Sequence, residues 1–303
     1  MGVPSWVPAE FAFVARDLGF FNDQDVELVQ YGSPIELSRH FREGSLDAAA
    51  LTLDFVPYWA LSTASLDVVF VIDVSQGADG VVAIPEIPDL AGLRGKRIGV
   101  EASPLAAHVL LRALRAGGLA TRDVETVSVD SDDQADAFRS GRMDAVVTHE
   151  PDRSRLLAGG ASSLFDSTRT PGQIVDVLVV RSATANERGE ALLRLIDGWL
   201  AAFARLQDDR AATVARLASG LSLDVATVDR ALASARLGDL ALNREMLGGP
   251  SPRLAATLEE IETLAAGAGL LRTDRPRGVR FNASLLPGVV SRPVGQLPEG
   301  GSR

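Results

Sequence analysis

The 303-residue sequence contains no cysteine and only one lysine, Lys96. The lack of cysteine excludes disulfides, thiolate metal sites and thiol nucleophiles, and Schiff-base chemistry has a single candidate residue. The net charge of −10 disfavours nucleic acid as a partner, because neutralising phosphates requires a basic surface. No apolar run reaches the ~18 residues of a membrane-spanning helix. No basic segment followed by an apolar one marks a signal peptide at the N-terminus.

Hydrophobic residues make up 46% of the chain, enough for a substantial core in each of two domains. Strand-like segments alternate with helical ones up to residue 180, and from Glu187 the chain becomes helical. This alternation predicts an α/β fold with a mainly parallel sheet. The tail from Arg272 is rich in Pro, Gly and Arg, and we expect disorder beyond Pro287.

The chain is organised around a strand followed at once by a helix, at residues 93–114. Residues 98–100 have the pattern of a short buried strand. Ser103 is a good helix N-cap, Pro104 suits the first helical position, and Gly117 with Gly118 ends the helix. Such a junction is a common place for ligands in open α/β sheets, because the helix N-terminus offers free N–H groups.

A short pattern, Gly-x-apolar-Asp-Ala-apolar, occurs twice, at residues 44–49 and 141–146. Each copy follows a predicted helix and begins a predicted buried strand. A polar pair follows each strand: Thr52 with Asp54 in one case, Thr148 with Glu150 in the other. The repeat predicts two α/β lobes of similar construction.

Six segments in a fixed order carry a family resemblance: residues 15–21, 44–49, 75–83, 93–101, 137–151 and 171–180. Together they resemble the substrate-binding proteins of ABC importers, in the group that handles nitrate, sulfonates, taurine and thiamine-type pyrimidines. The resemblance covers about residues 3–245. It implies the type II periplasmic-binding-protein fold, in which two α/β lobes are joined by two crossing strands and a ligand lies in the cleft between them.

The resemblance also implies boundaries. We place the crossings at about residues 79–85 and 176–182. Lobe one then comprises residues 1–83 with 179–290, lobe two comprises 84–178, and 291–303 form a disordered tail. The family has an export signal and a first strand before its Trp-containing loop, whereas Trp6 comes almost at once here. We interpret this as a truncated or misassigned start.

Ten polar or aromatic residues near predicted strand ends are candidates for ligand binding, and each also has a structural interpretation. Trp6 occupies the loop where the family often places a stacking aromatic, but it could be a packing residue. Asp54 could be a plain helix cap, and Asp176 could hydrogen-bond at a hinge. The candidates are Trp6, Thr52, Asp54, Ser75, Gln76, Asp79, Glu101, Ser103, Glu150 and Asp176.

The three histidines do not suggest a metal site. His40 and His149 have no metal-ligand spacing with each other or with an acidic pair. His108 shares a helical face with Arg112 and Arg115, which indicates a solvated face. We therefore expect neither a metal nor a cofactor.

The sign of the charges on the candidate residues distinguishes between classes of ligand. No Arg or Lys occurs at a matching strand end. Five candidates are acidic: Asp54, Asp79, Glu101, Glu150 and Asp176. Unpaired carboxylates disfavour nitrate or sulfonate and favour a cationic or amino-substituted heteroaromatic ligand stacked on Trp6. An aminopyrimidine precursor of thiamine is the first choice.

The resemblance thus implies a non-catalytic, monomeric, periplasmic or other extracytoplasmic protein that delivers a small molecule to the membrane permease of an importer. Anion binding of the nitrate, sulfonate or taurine type is the alternative within the family. An enzyme of the same fold, such as a pyrimidine synthase or a menaquinone-pathway enzyme, is another, but the similar synthases use a cysteine-rich motif. A cytoplasmic sensor is the third, although no room precedes Trp6 for a helix-turn-helix segment.

Overall fold

The computed structural model describes residues 1–63, 65–272 and 278–288. Within them the strands are β1 Gly2–Pro4, β2 Val29–Tyr31, β3 Ala48–Thr52, β4 Leu66–Ser75, β5 Asp79–Ala83, β6 Arg97–Val100, β7 Glu125–Ser128, β8 Ala145–His149, β9 Ser162–Asp166, β10 Val175–Arg181, β11 Ala235–Leu237 and β12 Val279–Phe281. The helices are α1 Val7–Asp17, α2 Pro34–Glu43, α3 Val56–Ala60, α4 Pro104–Ala116, α5 Ser131–Arg139, α6 Asp152–Ala158, α7 Ser182–Glu187, α8 Gly189–Asp208, α9 Arg210–Leu221, α10 Val225–Ala233, α11 Leu240–Leu247 and α12 Arg253–Gly267.

The predicted strand–helix junction is confirmed in β6 and α4. Ser103 has extended backbone angles, and its Oγ accepts a hydrogen bond from the Ala106 N–H at 3.2 Å. Pro104 is the first helical residue, where its missing N–H leaves no intrahelical bond unmade. Local chemistry therefore determines where this helix begins.

The strands form two sheets. The larger has the order β11-β4-β10-β3-β1-β2, with β12 also paired to β4, and β10 runs antiparallel to both β3 and β4. The smaller has the order β7-β6-β8-β5-β9, with β6, β7 and β8 parallel. Helices flank both sheets, and the predicted fold of two α/β lobes is confirmed.

The crossings lie earlier than the sequence analysis placed them. The chain leaves the larger sheet after β4 and enters the smaller sheet at Asp79, so β5 pairs with β8 and β9 and belongs to the second lobe. It returns before Val175, where β10 joins the larger sheet. The boundaries at 84 and 178 therefore need correction. An apolar run predicts a strand but not its partners, so the sequence could not assign β5 to a sheet.

A first strand does precede Trp6. β1 has only three residues, yet it pairs in parallel with β2 through Gly2–Pro4 and touches β3 at Gly2. The expectation that the chain lacks this first strand was therefore wrong. Three residues are too few to show the alternating pattern by which strands are recognised in a sequence.

The core of the larger lobe is built around aromatic rings on β4 and α8. The rings of Phe70 and Trp199 are 5.6 Å apart, and those of Phe11 and Phe203 are 4.9 Å apart and nearly perpendicular. Phe70 and Trp199 are fully buried, and truncating such a side chain typically costs about 3 to 5 kcal/mol. The helical segment after residue 187 therefore completes lobe one.

The C-terminal part of the described chain is tied to β4. Asp67 is fully buried and accepts hydrogen bonds from Arg280 Nε at 2.8 Å, Asn282 Nδ2 at 2.9 Å and Ser182 Oγ at 2.5 Å. These bonds lower the pKa of Asp67 although burial acts in the opposite direction. The predicted disordered tail, residues 291–303, lies outside the described residues.

No single helix in the described part of the chain is long and apolar enough to cross a membrane. Only α9 and α10 taken together reach that length and composition, and they are bent by 104° relative to each other.

Candidate functional site

The two sheets turn their strand ends toward each other. On the larger sheet, the carboxyl ends of β1, β3 and β4 lie beside the start of β10. On the smaller sheet, the carboxyl ends of β6 and β8 lie beside the start of β5, where Asp79 is opposite His149. All ten candidate residues lie at or just after these strand ends or at the crossing between the sheets. Residues up to 170 positions apart in the sequence therefore lie at these facing edges.

A row of three polar side chains crosses the larger sheet. Asp176 on β10 is directly opposite Thr52 on β3 and directly opposite Asp73 on β4. Directly opposite residues project on the same side of a sheet, with Cβ atoms ~5 Å apart. The indole of Trp6, which follows β1, reaches across this row and donates from Nε1 to Asp73 Oδ2 at 3.1 Å.

The two aspartates of this row influence each other's protonation. Burial raises the pKa of Asp73 to about 7; the hydrogen bond from Trp6 opposes this, and the Asp79 charge adds to it. Burial likewise raises the pKa of Asp176 well above its ordinary value, followed by the charges of Asp73 and Asp79. Because Asp73 and Asp176 are buried and directly opposite each other on neighbouring strands, ionisation of one carboxyl disfavours ionisation of the other.

The first crossing is held by hydroxyl groups. Ser75 Oγ donates to Asp79 Oδ2 at 2.6 Å and lies 2.7 Å from Ser167 Oγ, which accepts from the Gly77 N–H. Burial also raises the pKa of Asp79. Gln76 is exposed, and only its backbone N–H is engaged, to the Ser234 carbonyl. Gln76 lies in the loop between β4 and β5, and its role as a ligand contact stays a prediction.

The smaller lobe contributes residues from β6, β8 and their following turns. Glu101 is half-buried and accepts from Ser131 Oγ at 2.7 Å, at the first residue of α5. Ser103 is buried, and its Oγ caps the N-terminus of α4 by accepting from the Ala106 N–H. Glu150 is buried, accepts from Ser154 Oγ at 2.9 Å, and lies 3.8 Å from an Arg153 nitrogen. Arg153 thus stands at a strand end where the sequence showed no basic partner.

His108 is not on a solvated face. It is 4% exposed, and its Nδ1 bonds to the carboxylate of Asp54 in the other lobe, which is 1% exposed. Arg112 Nε donates to His108 Nε2 at 3.1 Å, so the hydrogen-bond pattern assigns the imidazole proton to Nδ1. Arg112 and Gln173 also bond to Glu260 on α12. The prediction was wrong because α4 packs against residues 53–55 and α12, which the helical pattern does not reveal.

Buried polar atoms without partners concentrate at the facing edges. Of the six buried side-chain nitrogen or oxygen atoms without a hydrogen-bond donor or acceptor in the described residues, four lie here: Thr52 Oγ1, Asp54 Oδ2, Asp73 Oδ1 and Thr148 Oγ1. Buried polar groups are usually satisfied, so such a concentration marks a place where further hydrogen bonds are made. Both the larger and the smaller lobe contribute unpartnered atoms to this place.

The space between the edges is small. The cavity beside Asp79, Ser103 and Thr148 has about 10 Å³, and the one beside Asp54 and His108 has about 10 Å³. Each has room for about one water molecule. A larger open groove of about 800 Å³ lies between α4 and α12, but no candidate residue lines it. A solute of several heavy atoms therefore requires the lobes to separate.

The profile of the NMT1-like family matches residues 1–222. The chain belongs to this family. A curated relative from Escherichia coli (strain K12), assigned as an aliphatic sulfonates-binding protein, is 28% identical over 153 residues. That alignment covers 49% of this chain and 47% of the relative, so this NMT1-like chain spans about half the length of the curated relative it matches.

Solved structures agree with the two-lobed fold of this NMT1-like chain. The alkanesulfonate-binding protein SsuA from Xanthomonas axonopodis pv. citri, bound to MOPS, has a TM-score of 0.74 at 21% identity, covering 90% of this chain and 93% of that one. The desulfurization enzyme DSZB has a TM-score of 0.62 at 19% identity, covering 90% of this chain and 92% of that one. At these identities the likeness concerns the fold alone.

Sequence reasoning missed Asp73 and His108 in this NMT1-like chain. Asp73 interrupts a run of β-branched residues, and a carboxylate in such a run is itself a signal of a functional position. Glu150 has a basic partner in Arg153, and Asp54 has one in His108. Among the described residues, the carboxyls without a basic partner within 4 Å include Asp73, Asp79 and Asp176. The acidic centre is therefore smaller than predicted and lies at the crossings.

Proposed function

We propose that this chain is the solute-binding component of an ABC importer and that it takes a small solute bearing an amino or cationic nitrogen group into the cleft between its lobes. An aminopyrimidine is the specific solute class we favour. The observation that carries the proposal is the set of unpartnered buried oxygens contributed by both lobes at one cleft. A solute with N–H donors would satisfy the carboxylate oxygens and both threonine hydroxyls together.

Charge supports an amino-bearing solute over an anion. Burial raises the pKa of Asp73, Asp79 and Asp176, and no arginine or lysine among the described residues lies within 4 Å to offset it, so a sulfonate or nitrate would add negative charge without a cationic partner. The N-terminus of α4 offers little to an anion, since Pro104 has no N–H and Ser103 Oγ already accepts from Ala106. Membership in the NMT1-like family is compatible with this assignment.

Anion binding is the second candidate, because the E. coli relative is assigned to aliphatic sulfonates. Catalysis is a less supported proposal. The fold is shared with a desulfurization enzyme, but this chain has no cysteine, and Lys96 precedes β6 at the end of the strand away from the cleft. We further propose that the protein acts as a monomer outside the cytoplasm and passes its solute to a membrane permease.

A thermal-shift screen of refolded, solute-stripped protein tests the proposal. The panel contains aminopyrimidines, polyamines, taurine, alkylsulfonates, nitrate and bicarbonate. A solute at 100 times its Kd stabilises the folded state by about 2.7 kcal/mol. We expect a rise in Tm with amino compounds, reduced in the Glu101→Gln and Trp6→Ala variants.

The matched control is Glu86→Gln, which changes an exposed carboxylate in the loop after β5. It should keep the wild-type response. A rise with sulfonates or nitrate and none with amino compounds would overturn the amino-solute assignment and favour the anion-binding candidate.

A further inference from the structure

The polar row across the larger sheet contains two acids and no base. Asp73 and Asp176 are directly opposite each other on neighbouring strands, so their carboxyl groups lie on the same side of the sheet. Among the described residues, neither is within 4 Å of an arginine, lysine or histidine nitrogen. Two carboxylates at this separation do not both ionise readily, so the pair retains one proton.

A second observation, independent of the acids, points to a ligand at this row. Thr52 is 6% exposed, lies opposite Asp176 on the same side of the sheet, and its Oγ1 has no hydrogen-bond partner. From the opposite lobe Thr148, 4% exposed, also has an unpartnered Oγ1. A buried hydroxyl without a partner is costly, and the Thr52 hydroxyl, opposite Asp176, is placed to bond a solute held at the aspartate pair.

From these contacts we infer that Asp73 and Asp176 hold one shared proton when no solute is bound and exchange it for a monocationic solute. The singly protonated pair carries one negative charge. When a cation binds, the proton leaves to solvent, and the doubly ionised pair faces the positive charge. This inference rests on the proposed function and adds a defined charge and a proton stoichiometry to it.

The surroundings determine how the pair responds to pH. Asp54 from the turn after β3 and Asp79 from β5 are the other acids near it, and both oppose its ionisation. His149 on β8 and His108 on α4 act on Asp79 in the opposite sense. Trp6, after β1, donates a hydrogen bond to Asp73, and β11 places Leu237 opposite Asp73.

The geometry also selects the shape of the cation. Asp176 and Thr52 lie side by side, so a planar cation with two parallel N–H groups, an amidinium, can donate to both. The indole of Trp6 reaches the same row, where its Nε1 donates to Asp73. A doubly charged or anionic solute lacks this match.

Isothermal titration calorimetry with benzamidinium tests the exchange. Its charge does not change between pH 5.5 and 8.5, so any pH dependence belongs to the protein. Benzamide is the neutral isostere and benzenesulfonate the anion. Titrations in phosphate and in imidazole, which differ in ionisation enthalpy, measure the protons released.

We expect benzamidinium to release about one proton per site at pH 7.5 to 8.5, where Asp73 is ionised and Asp176 keeps the shared proton, and its affinity to rise by up to about tenfold per pH unit across that range. Asp73→Asn and Asp176→Asn should abolish the release. Glu10→Gln, which changes a buried carboxyl with a pKa of about 7 outside the cleft, should leave it unchanged.

Three outcomes would overturn the inference. Binding of benzamidinium without proton release rejects the exchange but leaves an amino-solute function intact. Binding of benzenesulfonate in place of benzamidinium rejects both. Failure of wild type to bind benzamidinium at any pH rejects the exchange, while the panel of solutes separately decides the proposed function.

Discussion

His108 and Asp54 join the two lobes by a hydrogen bond between the imidazole Nδ1 and the aspartate carboxylate. Both side chains are almost completely buried, and Arg112 holds the other imidazole nitrogen. The pair connects α4 of the smaller lobe to the turn after β3 of the larger lobe. Any separation of the lobes on this side has to break it.

The first prediction concerns this contact. His108→Ala removes the donor to Asp54 and leaves a buried charge unpaired in the closed arrangement, a loss that typically costs about 3 to 5 kcal/mol. Opening the lobes hydrates Asp54 and avoids most of that cost. We expect small-angle X-ray scattering to give a larger radius of gyration for the variant than for wild type.

His40→Ala is the matched control, because His40 lies on α2 of the larger lobe, where it is 3.8 Å from Glu36 and its ring contacts that of Tyr31. Its scattering should equal that of wild type. A His108→Ala protein with unchanged scattering and Tm would show that the contact does not hold the lobes together.

The second prediction is that the protein becomes less stable as the pH rises from about 5 to 8. Asp73, with a pKa of about 7, together with Asp79 and Asp176, binds protons more tightly in the folded state than in the unfolded state. The unfolded chain therefore has fewer bound protons in this window, and the free energy of unfolding falls with pH.

Asp73→Asn should reduce that slope and raise the Tm at pH 8 by about 2 to 4 °C, the effect of about 1 kcal/mol in a domain of 150 to 250 residues. Thermal unfolding from pH 5 to 8 measures it, with Glu86→Gln as the exposed control. A slope that is identical in wild type and Asp73→Asn would contradict the assignment.

The third prediction uses Trp6 as a reporter of Asp73. Trp6 Nε1 donates to Asp73, whereas Trp59 donates to Ser38 and Trp199 to the Pro8 carbonyl, neither of which titrates. Tryptophan emission should therefore change with a midpoint near pH 7, where Asp73 gains its proton. The change should vanish in both Trp6→Phe and Asp73→Asn. Its persistence in Trp6→Phe would mean that another indole senses a titrating group.

The fourth prediction concerns Asp67, whose pKa is lowered by hydrogen bonds from Arg280, Ser182 and Asn282. Its contribution to stability is present above about pH 4 and is lost as the pH falls through its folded-state pKa, opposite in sign to that of Asp73. Asp67→Asn should lower the free energy of unfolding by about 1 to 3 kcal/mol in urea at pH 7, since Arg280 is half-exposed and partly screened. An unchanged midpoint would show that β12 is held without this cluster.

Much of the fold was predictable. The cap of α4, the two Gly-x-apolar-Asp-Ala repeats before β3 and β8, and the α/β alternation all depend on residues close in sequence. All ten candidates chosen from predicted strand ends lie at the facing edges or the crossing. The sheet to which β5 belongs was not predictable, because pairing depends on distant strands.

By itself the sequence determined where helices begin and end, and that two similar lobes form, because capping, glycine conformations and apolar periodicity act over a few residues. The tertiary structure alone decided which charges have partners. His108 hydrogen-bonds to Asp54, and Arg153 lies close to Glu150. Asp73 and Asp176 are opposite each other on neighbouring strands, without a basic partner among the described residues. The protonation of a carboxyl depends on burial and on charges a few ångströms away, and these come from residues as far apart in the chain as Asp67 and Arg280, 213 positions.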